Sequence, residues 1–523
     1  MAGPIPALEE RATACAAFLH DQGSVLLASH IDADGLTSAA IAACALERAG
    51  IEFETVFEKQ LDEAAIAAIA DTEYDTVLFT DFGSGQLDVI AAHEDAGEFT
   101  PVIADHHQPA DRDTTYHLNP LLFGINGASE LSGAGASYVL ARALAETGDG
   151  IVDAGDEPGH EHATPDGGTT TDPESPGSHS PRLGTATATA PLSRPTGNSP
   201  RADNRDLAAL AVVGAVGDMQ ASGGELHGAN EAIVTEGVEA GVLETATDLA
   251  LYGKQTRPLP KLLEYASDVQ IPGISNDANG SLRFLDDLDL ELRRDGEWRP
   301  WADLTGEEKQ VVASALVQRA VTSGVPPHKI DDLVGTSYVL ATEAVGTELR
   351  DASEFSTLLN ATARYERADV GLAVCLGNRA GALERARQLL REHRRNLSSG
   401  IDLVTEEGVT SEAHVQWFHA GDRIRETIVG IVAGMALGNA GISRSKPIIA
   451  FANKDEEAVK ASARGTHSLV RQGLDLSAVM GEAARAVDGD GGGHDVAAGA
   501  TVPAGREAAF LEFADELVGE QLS

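Results

Sequence analysis

The first 150 residues alternate short apolar runs with longer amphipathic stretches. Val25–Ala28, Phe53–Phe57, Thr76–Thr80 and Val102–Ala104 are rich in apolar and β-branched residues and have strand length. Between them, Thr37–Arg48, Leu61–Ala70 and Gln86–His93 carry helical spacing, and Thr37 or Ser38 is the expected N-cap of the first. Strands separated by single helices predict βαβ units and a mostly parallel sheet, an α/β fold.

From Ile151 to Asn204 the texture changes. This stretch holds eight of the 21 prolines, no aromatic residue, and Ser/Thr/Gly/Asp clusters such as Gly167-Gly168-Thr169-Thr170-Thr171. It cannot bury enough apolar surface to offset its ordering entropy, so 151–204 is expected to be a disordered insertion. His160, His162 and His179 inside it read as solvated side chains. Beyond it, Leu207–Met219 is an apolar, helix-like run, and 230–345 reads as mostly helical, broken at Pro258, Pro260, Pro272 and Pro326-Pro327. Gly377–Asn396, with Arg385, Arg387, Arg391, Arg394 and Arg395, predicts a long exposed connector helix. After Gly400 the alternation resumes, with Val415–His419, Pro447–Phe451 and Val459–Arg464 around a helix over Thr427–Leu437. The expected organisation is an α/β domain over 1–375, a connector over 376–399 and a smaller mixed α/β domain over 400–523, with the site in the cleft between them. A length of 523 residues agrees, since single cores stop growing near roughly 250–300 residues.

Charge changes the picture of partners. Asp and Glu number 82 against 38 Lys and Arg, only eight of them Lys, and the formal net charge is −44. The excess is spread along the chain, and with few aromatics it fits a protein of a high-salt cytoplasm. At molar salt the Debye length falls to about 3 Å, so acidity no longer argues against a nucleic-acid partner. Cys15, Cys44 and Cys375 lie far apart with no CxxC, which excludes a cysteine-based zinc site and points to a reducing compartment. The opening Met1–Glu10 carries Pro and Glu rather than a leader pattern, and no apolar run approaches the roughly 20 residues that span a bilayer. The expectation is a cytoplasmic chain with no membrane partner.

Candidate chemistry concentrates where apolar runs end. Val25-Leu26-Leu27 leads into Ala28-Ser29-His30-Ile31-Asp32-Ala33-Asp34-Gly35, and extended alternation would put His30, Asp32 and Asp34 on one side. Taken alone, a solvated acidic loop explains that stretch equally well. Three more runs close the same way: Val77–Thr80 on Asp81, Val102–Ala104 on Asp105-His106-His107, and Val212–Gly217 on Asp218. Strand ends of an open parallel sheet converge on one crevice, which would gather His30, Asp32, Asp34, Asp81, His106 and Asp218. Such ligands suit two divalent ions about 3.5–4 Å apart sharing a bridging Asp. Mixed imidazole and carboxylate ligation favours Mn²⁺ over Mg²⁺.

Asp105-His106-His107, together with His30-x-Asp32-x-Asp34-Gly35, Asp81 and Gly214-x-x-Gly217-Asp218, resembles the four ordered motifs of the DHH phosphoesterase superfamily. Gly491-Gly492-Gly493-His494 followed by Ala497-Ala498-Gly499 resembles the substrate-binding motif of the associated DHHA1 domain, and Ser462-Ala463-Arg464 its upstream Ser-x-Arg element. The HxDxDG form is similar to the RecJ-like exonuclease branch; pyrophosphatases carry a second Asp where this chain has Leu36. Tyr252–Leu259 and Leu349–Phe355 resemble archaeal RecJ-like proteins, and with the acidic composition a haloarchaeal member is expected.

The resemblance implies a parallel-sheet DHH domain joined by a long helix to a DHHA1 domain. It also implies a Mn²⁺-dependent exonuclease, with Mg²⁺ the second option, that degrades single-stranded DNA or RNA to mononucleotides. Asp81 would bridge two ions, with Asp105, His106 and His107 completing the catalytic set and His107 bonding the phosphate or orienting His106. A purely structural His107 is the alternative. Ser462, Arg464, Gly492, Gly493 and His494 would hold substrate, and the connector arginines either line a path for the strand or form a solvated face. The archaeal GINS and replicative helicase complex is an implied partner. Two other functions stay open: a phosphodiesterase of short oligonucleotides or cyclic dinucleotides, and a non-catalytic replisome component.

Overall fold

A computed structural model describes residues 3–147, 203–221, 224–266, 269–439 and 441–522. The expected insertion, with His160, His162 and His179, lies outside the described residues except for Asp203 and Asn204. Two compact units divide the chain, Met1–Ala386 and Arg387–Ser523.

The first unit opens with α1 (Glu9–His20), β1 (Ser24–His30), α2 (Ala33–Ala49), β2 (Glu52–Glu58), α3 (Glu63–Ala70) and β3 (Thr76–Thr80). Next come α4 (Leu87–Ala96), β4 (Thr100–Ala104), β5 (Tyr116–Leu118), α5 (Gly133–Thr147), α6 (Ala208–Gly217) and α7 (Ala229–Glu239). The five strands form one parallel sheet in the order β2-β1-β3-β4-β5. β1, β3 and β4 are covered on both faces, which is why they read as continuous apolar runs rather than alternating ones.

Two expectations about the first motif are corrected. The extended chain stops at His30, so alternation does not carry Asp32 and Asp34. Instead α2 begins at Ala33 with Asp32 as its N-cap, Oδ1 accepting from the Gly35 N–H at 2.9 Å. Thr37 and Ser38 lie inside the helix, where the Thr37 hydroxyl bonds back to the Ala33 carbonyl at 2.9 Å. A Cβ at position 35 would sit 2.0 Å from the His30 carbonyl oxygen, so only glycine permits this turn.

The middle of the chain is less helical than its sequence implied. Its elements are β6 (Leu243–Leu249), α8 (Leu259–Glu264), α9 (Ala278–Asp286), the short hairpin β7 (Arg293–Arg294) and β8 (Glu297–Trp298), α10 (Gly306–Thr322), α11 (Pro327–Asp331) and β9 (Val334–Leu340). β6 and β9 pair as an antiparallel ribbon, and the segment between them has its own core around Trp301, Leu262, Leu263, Ile274 and Leu316. α12 (Ala352–Arg364) then returns to pack against α2 and α6, followed by α13 (Ala368–Cys375).

The C-terminal part of α5 is tied to residues 203–204. The Asn204 amide donates to the Ala141 carbonyl at 2.6 Å, the Arg142 guanidinium to the Asp203 carbonyl, and Arg48 to Asn204 at 2.8 Å. Arg142 is buried against Glu236, which also accepts from Tyr138 at 2.6 Å.

α14 (Gly381–Glu407) is longer than the predicted connector and runs through the boundary between the units. The second unit continues with β10 (Thr410–Ser411), β11 (Gln416–His419), α15 (Glu426–Ala436), β12 (Ile448–Asn453) and β13 (Ala458–Arg464). It closes with α16 (His467–Val470), α17 (Leu476–Arg485), β14 (Asp490–Gly493), β15 (Ala497–Pro503) and α18 (Glu507–Gln521). Its mixed sheet has the order β10-β11-β12-β13-β15-β14 over a core of Phe451, Met480, Val502 and Phe510. Among the described residues no helix is long and apolar enough to cross a membrane.

Candidate metal centre

Six sequence-predicted residues meet at the C-terminal end of the sheet. They form two triads whose ligand atoms lie within 4.8 Å of one another: His30, Asp32 and Asp81, and Asp34, His106 and Asp218. His30 ends β1 and sets Nδ1 3.0 Å from Asp32 Oδ2 and 3.6 Å from Asp81 Oδ2. Asp81 follows β3 with φ at 61°, a left-handed backbone rare for a non-glycine residue and costly unless its surroundings hold it. Its amide donates to the Ala104 carbonyl at 3.0 Å, and the turn aims its carboxylate between the triads. Asp81 Oδ1 lies 3.3 Å from His106 Nε2, yet it is buried with no hydrogen-bond partner among the described residues.

Asp34 arrives differently from the sequence reading, from the first turn of α2. It is 2 % exposed, and its two oxygens accept from the backbone of Gly133 at 2.8 Å and Ala134 at 3.0 Å, at the N-terminus of α5. Asp218 ends the run read as helix-like and caps the C-terminus of α6, so it reaches the cluster from a helix rather than from a strand of the sheet. His106 bonds the Gly127 carbonyl through Nδ1 at 2.7 Å, which leaves Nε2 facing Asp81 and Asp34.

Electrostatics show what this cluster can hold. Burial and the neighbouring carboxylates of Asp81 and Asp218 push the Asp34 pKa well above the usual carboxylate range. Burial likewise raises Asp218 to about 6, with Asp81 adding and His106 opposing. Burial works against charged imidazoles at His30 and His106, but the facing carboxylates outweigh it and raise both well above the usual histidine value. Four carboxylates and two imidazoles thus crowd a buried space that needs protons or cations to balance it. The donor set and the unpartnered Asp81 oxygen fit a divalent cation.

Asp105 and His107 group with Asp81 and His106, their ligand atoms also lying within 4.8 Å of one another. Asp105 is buried, with Oδ2 accepting from the Ser84 amide at 2.9 Å and Oδ1 from the His106 amide at 2.7 Å and from His107 Nδ1 at 2.8 Å. Burial opposes its ionisation, but His107, His106 and Ser84 hold its carboxyl well below the usual range. Its place is to fix the Asp-His-His turn, and it leaves His107 half-exposed with Nε2 free of Asp105. Asn119 steadies the same turn by donating to the His107 carbonyl at 2.8 Å.

Several supporting residues were invisible in sequence. Gln220 donates to Asp218 Oδ2 and to the Gly127 carbonyl, both at 2.8 Å, and Asn230 donates to Gln220 at 2.6 Å. Gly133 makes room, since a Cβ there would lie 2.3 Å from Asp81 Oδ1. From α12, the Asn360 side-chain Oδ1 accepts from the Ala33 amide at 3.1 Å, and exposed Arg364 lies close enough to help hold Asp32 ionised.

The five expected substrate residues lie in the second unit, on or next to neighbouring strands of its sheet. Ser462 pairs with Gly499, and Gly499 with Gly492; Arg464 pairs with Ala497, whose carbonyl accepts from the His494 amide at 2.9 Å. The glycine run is therefore an edge strand rather than a loop, and every second N–H points off the ladder. Gly430 of α15 lets the Arg464 side chain lie against the helix, since a Cβ there would meet its Nη2 at 2.6 Å.

Comparison with known proteins follows this division. The DHH family N-terminal domain matches residues 24–157, the DHH-CID domain 251–334 and the DHHA1 domain 412–520. The chain belongs to the DHH family. An uncharacterized protein of Methanocaldococcus jannaschii is 26 % identical to this DHH protein over 512 residues, covering 96 % of this chain and 95 % of its own. RecJ of Thermus thermophilus, solved with Mn²⁺, shares the fold at 16 % identity and a TM-score of 0.56, over 99 % of this chain. This chain spans only 56 % of that RecJ. CDC45 of Entamoeba histolytica shares the fold at 11 % identity and a TM-score of 0.58, over 98 % of this chain and 99 % of its own. The chain is thus a DHH phosphoesterase by family, with the two-domain mixed α/β architecture of RecJ.

Proposed function

We propose that this DHH protein is a metal-dependent exonuclease that releases mononucleotides from single-stranded DNA or RNA. The observation that carries the reading is Asp81, aimed between two His/Asp triads with one buried oxygen unpartnered. His30, Asp32, Asp34, Asp81, His106 and Asp218 would hold two ions, Mn²⁺ by preference and Mg²⁺ second. Bound there, the ions supply Lewis-acid polarisation of a phosphoryl oxygen and a water acidic enough to ionise near neutral pH.

The chain's own groups do the rest. The Gly127 carbonyl fixes the His106 tautomer so that Nε2 faces inward. Asp105 holds His107 so that its half-exposed ring can donate to a phosphate oxygen. Arg364, beside Asp32, offers a guanidinium to the same phosphate or its neighbour. Ser462, Arg464, His494 and the edge-strand glycines Gly492 and Gly493 hold a further part of the strand. A cytoplasmic location and association with a replicative helicase complex accompany this reading. A scaffold role of the CDC45 kind would not require an intact donor set, and all six donors are present.

The test uses purified protein in molar KCl with MnCl₂ and end-labelled single strands, with Asp81→Ala alongside. A ladder of released mononucleotides, absent in the variant, is expected. Cleavage of dinucleotides alone would replace this reading with a short-substrate phosphodiesterase, and no cleavage of either would replace it with a scaffold.

A further inference from the structure

We propose a second nucleic-acid contact in the first unit, centred on Tyr265: a stacking platform for one base of a single strand, with Arg257 and Lys261 beside it for the phosphates. It rests on the single-strand reading above and adds a site remote from the metal centre.

Tyr265 follows α8 and is 50 % exposed; among the described residues, Phe513 is the one other exposed aromatic side chain. The Arg257 guanidinium lies 5.2 Å from its ring centroid and 4.8 Å from that of Tyr252, and Lys261 Nζ lies 5.1 Å from the Tyr265 centroid. Lys261 also pairs with Glu264 at 2.7 Å. One turn builds the group. Gly253 takes φ at 100°, and a Cβ there would meet Arg257 Cδ at 2.4 Å, so glycine lets the arginine fold back over both rings. This accounts for Tyr252-Gly253 and Arg257 in a stretch that the metal centre leaves unexplained.

The charge of the chain makes the patch selective. A protein of formal net charge −44 has little basic surface with which to attract phosphates, and molar salt screens what it has. Stacking on an aromatic ring tolerates any base and does not depend on counterion release, and neighbouring cations reinforce it.

The patch is also coupled to the centre. The Gln255 amide and the Thr256 hydroxyl donate to Glu354 at 2.7 and 2.6 Å, in the first turn of α12. The far end of α12 carries Asn360 and Arg364 to the metal-binding turn. From Glu354 to Arg364 the helix rises about 15 Å, so the turn that seats Arg257 and the metal-binding turn are held at opposite ends of one helix.

The test measures binding without turnover, in the Asp81→Ala chain with Mn²⁺ and molar KCl. Fluorescence anisotropy follows a labelled oligothymidylate of about twenty nucleotides and a labelled dinucleotide. Tyr265→Ala is expected to weaken the long strand about ten-fold, Tyr265→Phe to restore it, and neither to move the dinucleotide. Lys261→Gln should weaken the long strand more at moderate than at molar KCl. A parent chain that binds no long strand would overturn the single-strand reading and this site with it. A parent that binds while Tyr265→Ala binds equally well, or loses the dinucleotide equally, would overturn the Tyr265 site alone.

Discussion

Glu354→Gln should stabilise the first unit at neutral pH and leave it unchanged in acid. Glu354 is 1 % exposed, accepts from the Gln255 amide and the Thr256 hydroxyl, and has Asp351 nearby. Burial pushes its carboxyl from 4.5 to about 7, and the two hydrogen bonds only partly oppose this. The folded chain therefore keeps this proton to higher pH than the unfolded chain does. The stability it contributes is whole below about pH 4.5, declines as pH rises, and levels off above about 7. At about 1.4 kcal/mol per pH unit the loss amounts to about 3 kcal/mol. Glutamine keeps both hydrogen bonds, because its carbonyl can accept from Gln255 while its amide donates to a reoriented Thr256 hydroxyl. Denaturant unfolding in molar KCl, read by tryptophan fluorescence, measures the difference. Of the three tryptophans, Trp298 and Trp301 lie in the first unit, and Trp417→Phe silences the second. Parent and Glu354→Gln should coincide near pH 4.5 and separate by about 3 kcal/mol near pH 8. Parallel stabilities at both pH values would refute the reasoning.

Three further outcomes test the centre. Gly133→Ala places a Cβ on Asp81 Oδ1, so calorimetry should show Mn²⁺ binding weakened at least about a hundred-fold while far-UV circular dichroism is unchanged. Gln220→Leu unties Asp218 from the Gly127 carbonyl and should weaken Mn²⁺ about 10- to 100-fold, again by calorimetry. Arg364→Ala should raise KM for single strands about ten-fold with the fold intact, and Arg364→Lys should recover part of it by restoring charge without the planar fork.

What was legible in the sequence was local. His30, Asp81 and Asp105-His106 follow buried parallel strands, whose apolar runs announce both the strand and its functional end. Asp32 and Asp34 were found for the wrong geometric reason, because an Asp after a strand and before a glycine satisfies either an extended register or an N-cap. Asp218 was legible because the helix-like apolar run that precedes it is buried as α6, although the sequence did not show that a helix end would join the strand ends. The β6–β9 ribbon was missed because residues 244–247 are exposed and show no apolar alternation. Gln220, Asn230, Gly133 and Asn360 act across the fold, Asn360 reaching a residue 327 positions away, and no local pattern marks such contacts.

The clamp joining residues 141–142 to 203–204 turns the outgoing and returning chain into one local structure, anchored on Arg48 and Glu236. Closing a longer loop costs only about 0.6 kcal/mol per doubling of its length, so the scaffold is nearly indifferent to how much sequence passes between those anchors. The position is a splice port. An engineer can graft a reporter domain there, while Asp34 and Asp218 stay where the helices on either side hold them.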